Sequence, residues 1–156
     1  MSTDNVPTSL SIQRAQEADF EWCAQLMAGS DPWITLRRSL EQCRTALHRP
    51  GNELFVARDA GPAVGFILIH PHGFASSPYI VSVAVADTAR GKGIGAQLLA
   101  FAERRAAGSR FIFLCVSSFN LRAQALYHRL GYKQVGEIPD YVVEGYSELL
   151  MGKRLA

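Results

Sequence analysis

Hydrophobic and polar positions in this chain change period several times, and the changes mark its elements. SLSIQRA, residues 9–15, alternates like a short strand. Residues 17–28 read as a helix that ends at the breaker Gly29-Ser30-Asp31-Pro32. Ile34, Leu36, Leu40, Cys43 and Leu47 fall near helical spacing and predict a second helix over 33–48, stopped by Pro50-Gly51. ELFVARD (53–59) and AVGFILIH (63–70), joined by Ala60-Gly61-Pro62, predict an antiparallel hairpin. Residues 70–78, rich in Pro, Ser and Gly, predict a loop. A strand over 79–86 runs into a glycine-rich loop and then a helix reaching about residue 107. FIFLCV (111–116) is apolar without alternation, as expected of a strand buried on both faces. A helix over 120–130 and strands over 133–138 and 147–155 complete the chain. The order is β-α-α-β-β-β-α-β-α-β-β. Its central strand-loop-helix-strand unit needs a parallel pair, so the expectation is an α/β fold with a mixed sheet.

Composition narrows the class. A chain of 156 residues with no repeat or long linker is expected to form a single domain, 1–156. Its 48% hydrophobic and 19% charged residues are ordinary for a globular protein. A net charge of +2 is too mild to point to a nucleic-acid partner. The polar start MSTDNVPTSL lacks a leader pattern, and no apolar run approaches the roughly 20 residues that span a bilayer. Cys23, Cys43 and Cys115 form no CxxC pair, which fits a reducing compartment better than a disulfide or zinc framework. The expectation is a cytoplasmic protein with no membrane partner.

The chemistry gathers at ARGKGIGA, residues 89–96, where three glycines fall within five positions. Glycine is the residue most costly to order, so such a loop implies close approach of its backbone to something. A nucleotide P-loop would need Ser or Thr after its Gly-Lys, and Lys92 is followed by Gly93. Gly91, Gly93 and Ala96 match the dinucleotide fingerprint literally. However, the next strand ends in Ser117-Ser118-Phe119-Asn120, with no acid to hold a ribose. The third reading is an anion cradle. A helix N-terminus offers unpaired amides and about half a positive charge. Glycines let those amides of Gly91, Gly93, Ile94, Gly95 and Ala96 converge on a diphosphate, with Arg90 and Lys92 adding charge at the rim.

Arg90, Gly93 and Gly95 also carry a family resemblance. They fit the Gln/Arg-x-x-Gly-x-Gly/Ala pattern of the GNAT superfamily of N-acetyltransferases, and the segment NLRAQALYHRLGY (120–132) is similar to that family's second signature. The resemblance implies a mostly antiparallel central sheet flanked by helices, with a splayed parallel strand pair forming an acyl-CoA cleft. It implies acetyl-CoA as the acyl donor, no metal, and a primary amine on a small molecule or peptide as acceptor. The chain is expected to act as a monomer or homodimer. Val83 and Val85 would offer backbone groups to the pantetheine arm, and Tyr127 would be the general acid. A phenol can protonate the departing thiolate, whose reference pKa of about 8.5 lies below its own of about 10. Asn120, two helical turns before Tyr127, would either face the cofactor or only cap its helix.

A base is harder to find. YIVSVAV holds no acid beside Ser82, where many family members carry one, which also leaves open a non-catalytic acyl-CoA-binding module. Asp31, Glu41, Asp140 and Glu144 remain as candidates. Glu144 is the chosen one, because IPDYVVEGYSE occupies the region that lines the acceptor side in the family. Asp31, Trp33, Ser82 and Tyr141 are the expected substrate-lining residues. Cys115 reads as a core thiol within reach of a thioester, His128 points to another face from Tyr127, and His70-Pro71-His72 reads as a surface turn rather than a metal pair.

Overall fold

The computed structural model describes Pro7 and residues 9–156, so the polar N-terminal stretch read for a leader lies mostly outside the described residues. Among those residues, seven strands form one sheet in the order β1-β2-β3-β4-β5-β7-β6. The strands are β1 (Leu10–Arg14), β2 (Glu53–Asp59), β3 (Ala63–Phe74), β4 (Ser77–Val85), β5 (Phe111–Ser117), β6 (Lys133–Ile138) and β7 (Glu148–Arg154). Four helices accompany them: α1 (Glu17–Ala28), α2 (Leu40–His48), α3 (Ile94–Arg105) and α4 (Leu121–Arg129). Every neighbouring pair is antiparallel except β4 and β5, which run parallel. This is the mixed, mostly antiparallel arrangement expected from the sequence.

The strand period of two divides the core into two layers. On β2 and β3, Leu54, Val56, Phe66 and Leu68 face α1 and α2 and join Cys23, Met27, Cys43 and Leu47. Their alternates Phe55, Ala57, Ile67 and Ile69 face the other way and join Ile94, Leu98, Leu99 and Ala102 of α3. Leu98 is fully buried there. Leu98→Ala should therefore destabilise the fold by about 2–5 kcal/mol, read as a lower midpoint in urea unfolding at unchanged slope.

The parallel pair is short. Only Tyr79↔Phe113 and Ile80↔Leu114 are in register before the strands part. At that point β4 carries a bulge: Leu68 of β3 pairs with Ser82 and Ile69 with Ile80, leaving Val81 without an opposite number. An extra residue bends and twists the strand that carries it. Beyond it, Ser82 to Val85 remain bonded to β3 on one edge only, and their other edge faces the gap toward β5.

Two local expectations are corrected. The helix expected over 33–48 begins only at Leu40. Asp31 accepts hydrogen bonds from the Thr35 amide (3.0 Å) and hydroxyl (2.6 Å), and Arg37 takes a left-handed φ of 58°, so residues 31–37 form turns. Ser39 and Gln42 then cap α2 reciprocally, each accepting from the other's amide. The loop expected over 70–78 is instead a continuation of the β3–β4 hairpin, closed by Ala75 and Ser76 at φ 48° and 68°. Those angles belong to a two-residue turn usually marked by Asn or Gly, so its sequence signal is absent.

Candidate functional site

The gap between β4 and β5 opens into a cleft of about 760 Å³, walled by the turn after α1, the glycine loop and α4. At one end, the chain leaves β4 through a short 3-10 turn (Asp87–Ala89) and enters α3 at Gly93. Gly91 and Gly93 sit at φ 80° and 74°, where a side chain is strained. No side chain caps α3, and none of the amides from Gly91 to Ala96 donates to a protein acceptor among the described residues. A Cβ built on Gly91 would meet nothing within 4 Å, so the approach is open. Arg90 bridges to Asp87 (3.2 Å) at the rim, and Arg122 of α4 lines the same cleft. Bare amides, a helix N-terminus and two guanidinium groups suit a diphosphate.

Two titratable groups also line the cleft. Tyr127 is buried on α4, and burial pushes its hydroxyl up to about 12. The hydroxyl makes no protein hydrogen bond, yet no buried side-chain polar atom among the described residues lacks a partner. It is therefore reached from the cleft. Its ring is held by Tyr132 at 6.0 Å between centroids, and the Tyr132 hydroxyl donates to Glu103, which also accepts from Lys153 at 2.9 Å. Glu148, the first residue of β7, is buried opposite Ser117 at the end of β5. Its Oε2 accepts from the Ser117 hydroxyl at 2.6 Å, while Oε1 has no protein partner and is open to the cleft by the same reasoning. Burial raises its pKa, and the Ser117 hydrogen bond and the charge of Arg38 oppose that shift only in part. Cys115 of β5 lines the same cleft, its thiol also pushed up by burial.

Most residues singled out in the sequence meet here. Asp31, Trp33, Ser82, Val83, Val85, Arg90, Gly91, Gly93, Ile94, Gly95, Ala96, Asn120 and Tyr127 all line the cleft. Asn120 does so while capping α4, its Oδ1 accepting from the Ala123 amide at 3.2 Å. Asp31 has its carboxylate committed to Thr35, and Trp33 also packs toward Phe66.

Others fall elsewhere. Lys92 is exposed and does not line the cleft. The expected base Glu144 is corrected by its position: with Tyr141 it sits exposed in an adjoining groove, because the β6–β7 link folds back on itself. Within that link the Gly145 amide donates to Asp140 at 2.7 Å. Glu41 is engaged by Arg44 at 3.3 Å. Asp31 and Asp87 line the cleft, and so does a third acid, Glu148, which was not singled out. Its sequence signal is a carboxylate opening the otherwise apolar run LLMG. His70 and His72 serve the hairpin, the His72 amide donating to His70 Nδ1 at 3.1 Å.

Known proteins share this fold. The model of the acetyltransferase (GNAT) family matches residues 12–132. The N-alpha-acetyltransferase RimI of Mycobacterium tuberculosis is 32% identical over 143 residues, which cover 87% of this chain and 85% of that protein. Among solved structures, Arabidopsis thaliana NAA60 in complex with a bisubstrate analogue superposes with a TM-score of 0.79 at 17% identity, covering 94% of this chain and 99% of that one. An aminoglycoside 6'-N-acetyltransferase complexed with coenzyme A gives 0.73 at 18% identity, covering 94% and 97%. At those identities the two structures share the fold. In the described residues, no helix is long and apolar enough to cross a membrane.

Proposed function

The chain belongs to the acetyltransferase (GNAT) family, and from that premise we propose that it moves an acetyl group from acetyl-CoA to a primary amine by direct attack in a ternary complex. The observation that carries this is the pairing of a bare helix N-terminus with an accessible Tyr127 in one cleft. Acetyl-CoA supplies an activated thioester. The amides from Gly91 to Ala96 and the charges of Arg90 and Arg122 hold its diphosphate, and the free edge of β4 at Val83 and Val85 pairs with its pantetheine arm.

Glu148, rather than Glu144, takes the proton from the acceptor amine, directly or through one water. Tyr127 gives a proton to the sulfur. The balance is one C–N bond formed, one C–S bond broken, and one proton passed at each end. Holding the acetyl carbon and the amine together removes much of the entropic barrier, so no covalent enzyme intermediate is required. Asp31, Trp33 and Ser82 line the acceptor side.

Acetyl-CoA at a hundredfold excess over its dissociation constant should add about 2.7 kcal/mol of stability, a rise of roughly 5–10 °C in Tm. Gly93→Ala, strained at its φ of 74°, should weaken that binding roughly tenfold by calorimetry. No heat and no protection with acetyl-CoA would remove this reading. Release of free thiol in the presence of a primary amine, and not with the amine omitted, checks the transfer.

A further inference from the structure

The cleft has a neighbour. Leu36 lines both it and an adjoining groove of about 670 Å³, set between the turn before α2 and the β6–β7 link. Arg37, Arg38 and Gln42 form one wall of this groove, and residues 141–144 form the other.

Arg37 and Arg38 differ from the five arginines that are ion-paired. Arg14, Arg44, Arg58, Arg90 and Arg105 are each ion-paired, whereas neither Arg37 nor Arg38 pairs with a carboxylate among the described residues. Both are exposed. Adjacent unpaired guanidinium groups repel each other, and an anion placed between them relieves that repulsion. The backbone beneath them is rigidly tied: the Leu36 amide donates to Pro32 O at 2.9 Å and the Arg38 amide to Trp33 O at 3.0 Å. Arg37 nevertheless occupies the left-handed region, where its Cβ crowds the backbone and a glycine would fit without cost. Such an outlier suggests that the side chain has a use. Arg38 lines the groove two residues after Leu36, which groove and cleft share.

We propose that this groove is an acceptor subsite for a carboxylate, so that the reacting amine belongs to an acidic acceptor whose negative charge is held by Arg37 and Arg38 while its amine lies beside Glu148. The proposal rests on the reading of the cleft given above and names its acceptor class. A guanidinium fork matches a carboxylate bidentately, which supplies orientation as well as charge. The groove also holds one carboxylate, Glu144, against the two guanidinium groups, so its lining side chains carry a net positive charge that disfavours polycationic amines.

Three peptides of equal length beginning Ala-Glu-Glu, Ala-Gln-Gln and Ala-Lys-Lys, together with free glutamate, test it. Thiol release reports transfer, and calorimetry with coenzyme A present reports binding of the same acceptors. The expected order is Glu above Gln above Lys, with about tenfold between the outer members or more, expressed mainly in KM. Arg37→Gly with Arg38→Gln should collapse the Glu-to-Gln ratio. Arg37→Glu with Arg38→Glu should invert it. Equal or reversed use by the unaltered protein, or an acidic preference that survives both double variants, overturns the subsite. Acidic binding that depends on the arginines but leads to no transfer would retract the transfer reading and keep the subsite. Transfer without acidic preference does the opposite. Free glutamate outperforming the acidic peptide supports the subsite with a small amino acid as the source of the carboxylate.

Discussion

Tyr127→Phe is expected to lower kcat by about 10²- to 10³-fold, with little change in the dissociation constant for acetyl-CoA. The ring stays, so packing against Tyr132 and the α4 contacts are kept. Only the hydroxyl that opens on the cleft is lost. Because burial pushes that hydroxyl up to about 12, it remains protonated throughout the working range, which suits a donor to a thiolate. For the same reason the alkaline side of the unaltered enzyme's pH–rate profile near neutrality should not report Tyr127. Steady-state kinetics alongside calorimetry separates the outcomes, and equal turnover in the variant would remove Tyr127 from the chemistry.

Glu148→Gln carries the second large effect, a fall in kcat/KM of about 10²-fold or more. Gln can still accept from the Ser117 hydroxyl, so the β5–β7 geometry is preserved while the proposed base is lost. The sign with pH follows from burial. The folded-state pKa of Glu148 lies above its ordinary value, and the carboxylate is an effective base only above that raised value. In the unaltered enzyme, kcat/KM should therefore fall as pH drops through it, and the Gln variant should lack this step while keeping any step due to the amine itself.

Stability should move the other way. A raised folded-state pKa means that folding favours the protonated form. Its stabilisation is complete below the ordinary carboxylate range and is lost as pH rises through the folded value. The Gln variant should thus melt at a higher temperature than the unaltered protein near neutral pH, with the difference vanishing toward about pH 4. Thermal melting and pH–rate profiles on both proteins check the pair of claims. An unchanged profile shape would return the search for a base to other groups.

Much of the fold was legible because its signals are local. Alternation on ELFVARD and AVGFILIH needs only the period of two to place Leu54 and Val56 on one face and Phe55 and Ala57 on the other. The errors lie where local signals compete or are silent. Residues 33–38 carry helical spacing, but the Asp31–Thr35 bonds and the Ser39 cap act against it. Ala75-Ser76 carries no turn signature although it forms one. In the site, the glycine loop and Tyr127 could be read from short motifs, whereas Glu148 could not. Its hydrogen-bond partner Ser117 lies 31 residues earlier.

By itself, then, the sequence determined the element order, the two-faced central strands and a glycine-rich helix start, since each depends on residues within a turn or two of one another. Only the tertiary structure decided where β4 and β5 part, that Glu148 and Tyr127 line one cleft, and that Arg37 and Arg38 line the groove adjoining it. Those relations arise from strand register, the bulge at Val81 and the folding of two distant loops against each other, and a pattern read along the chain carries no distance between such segments.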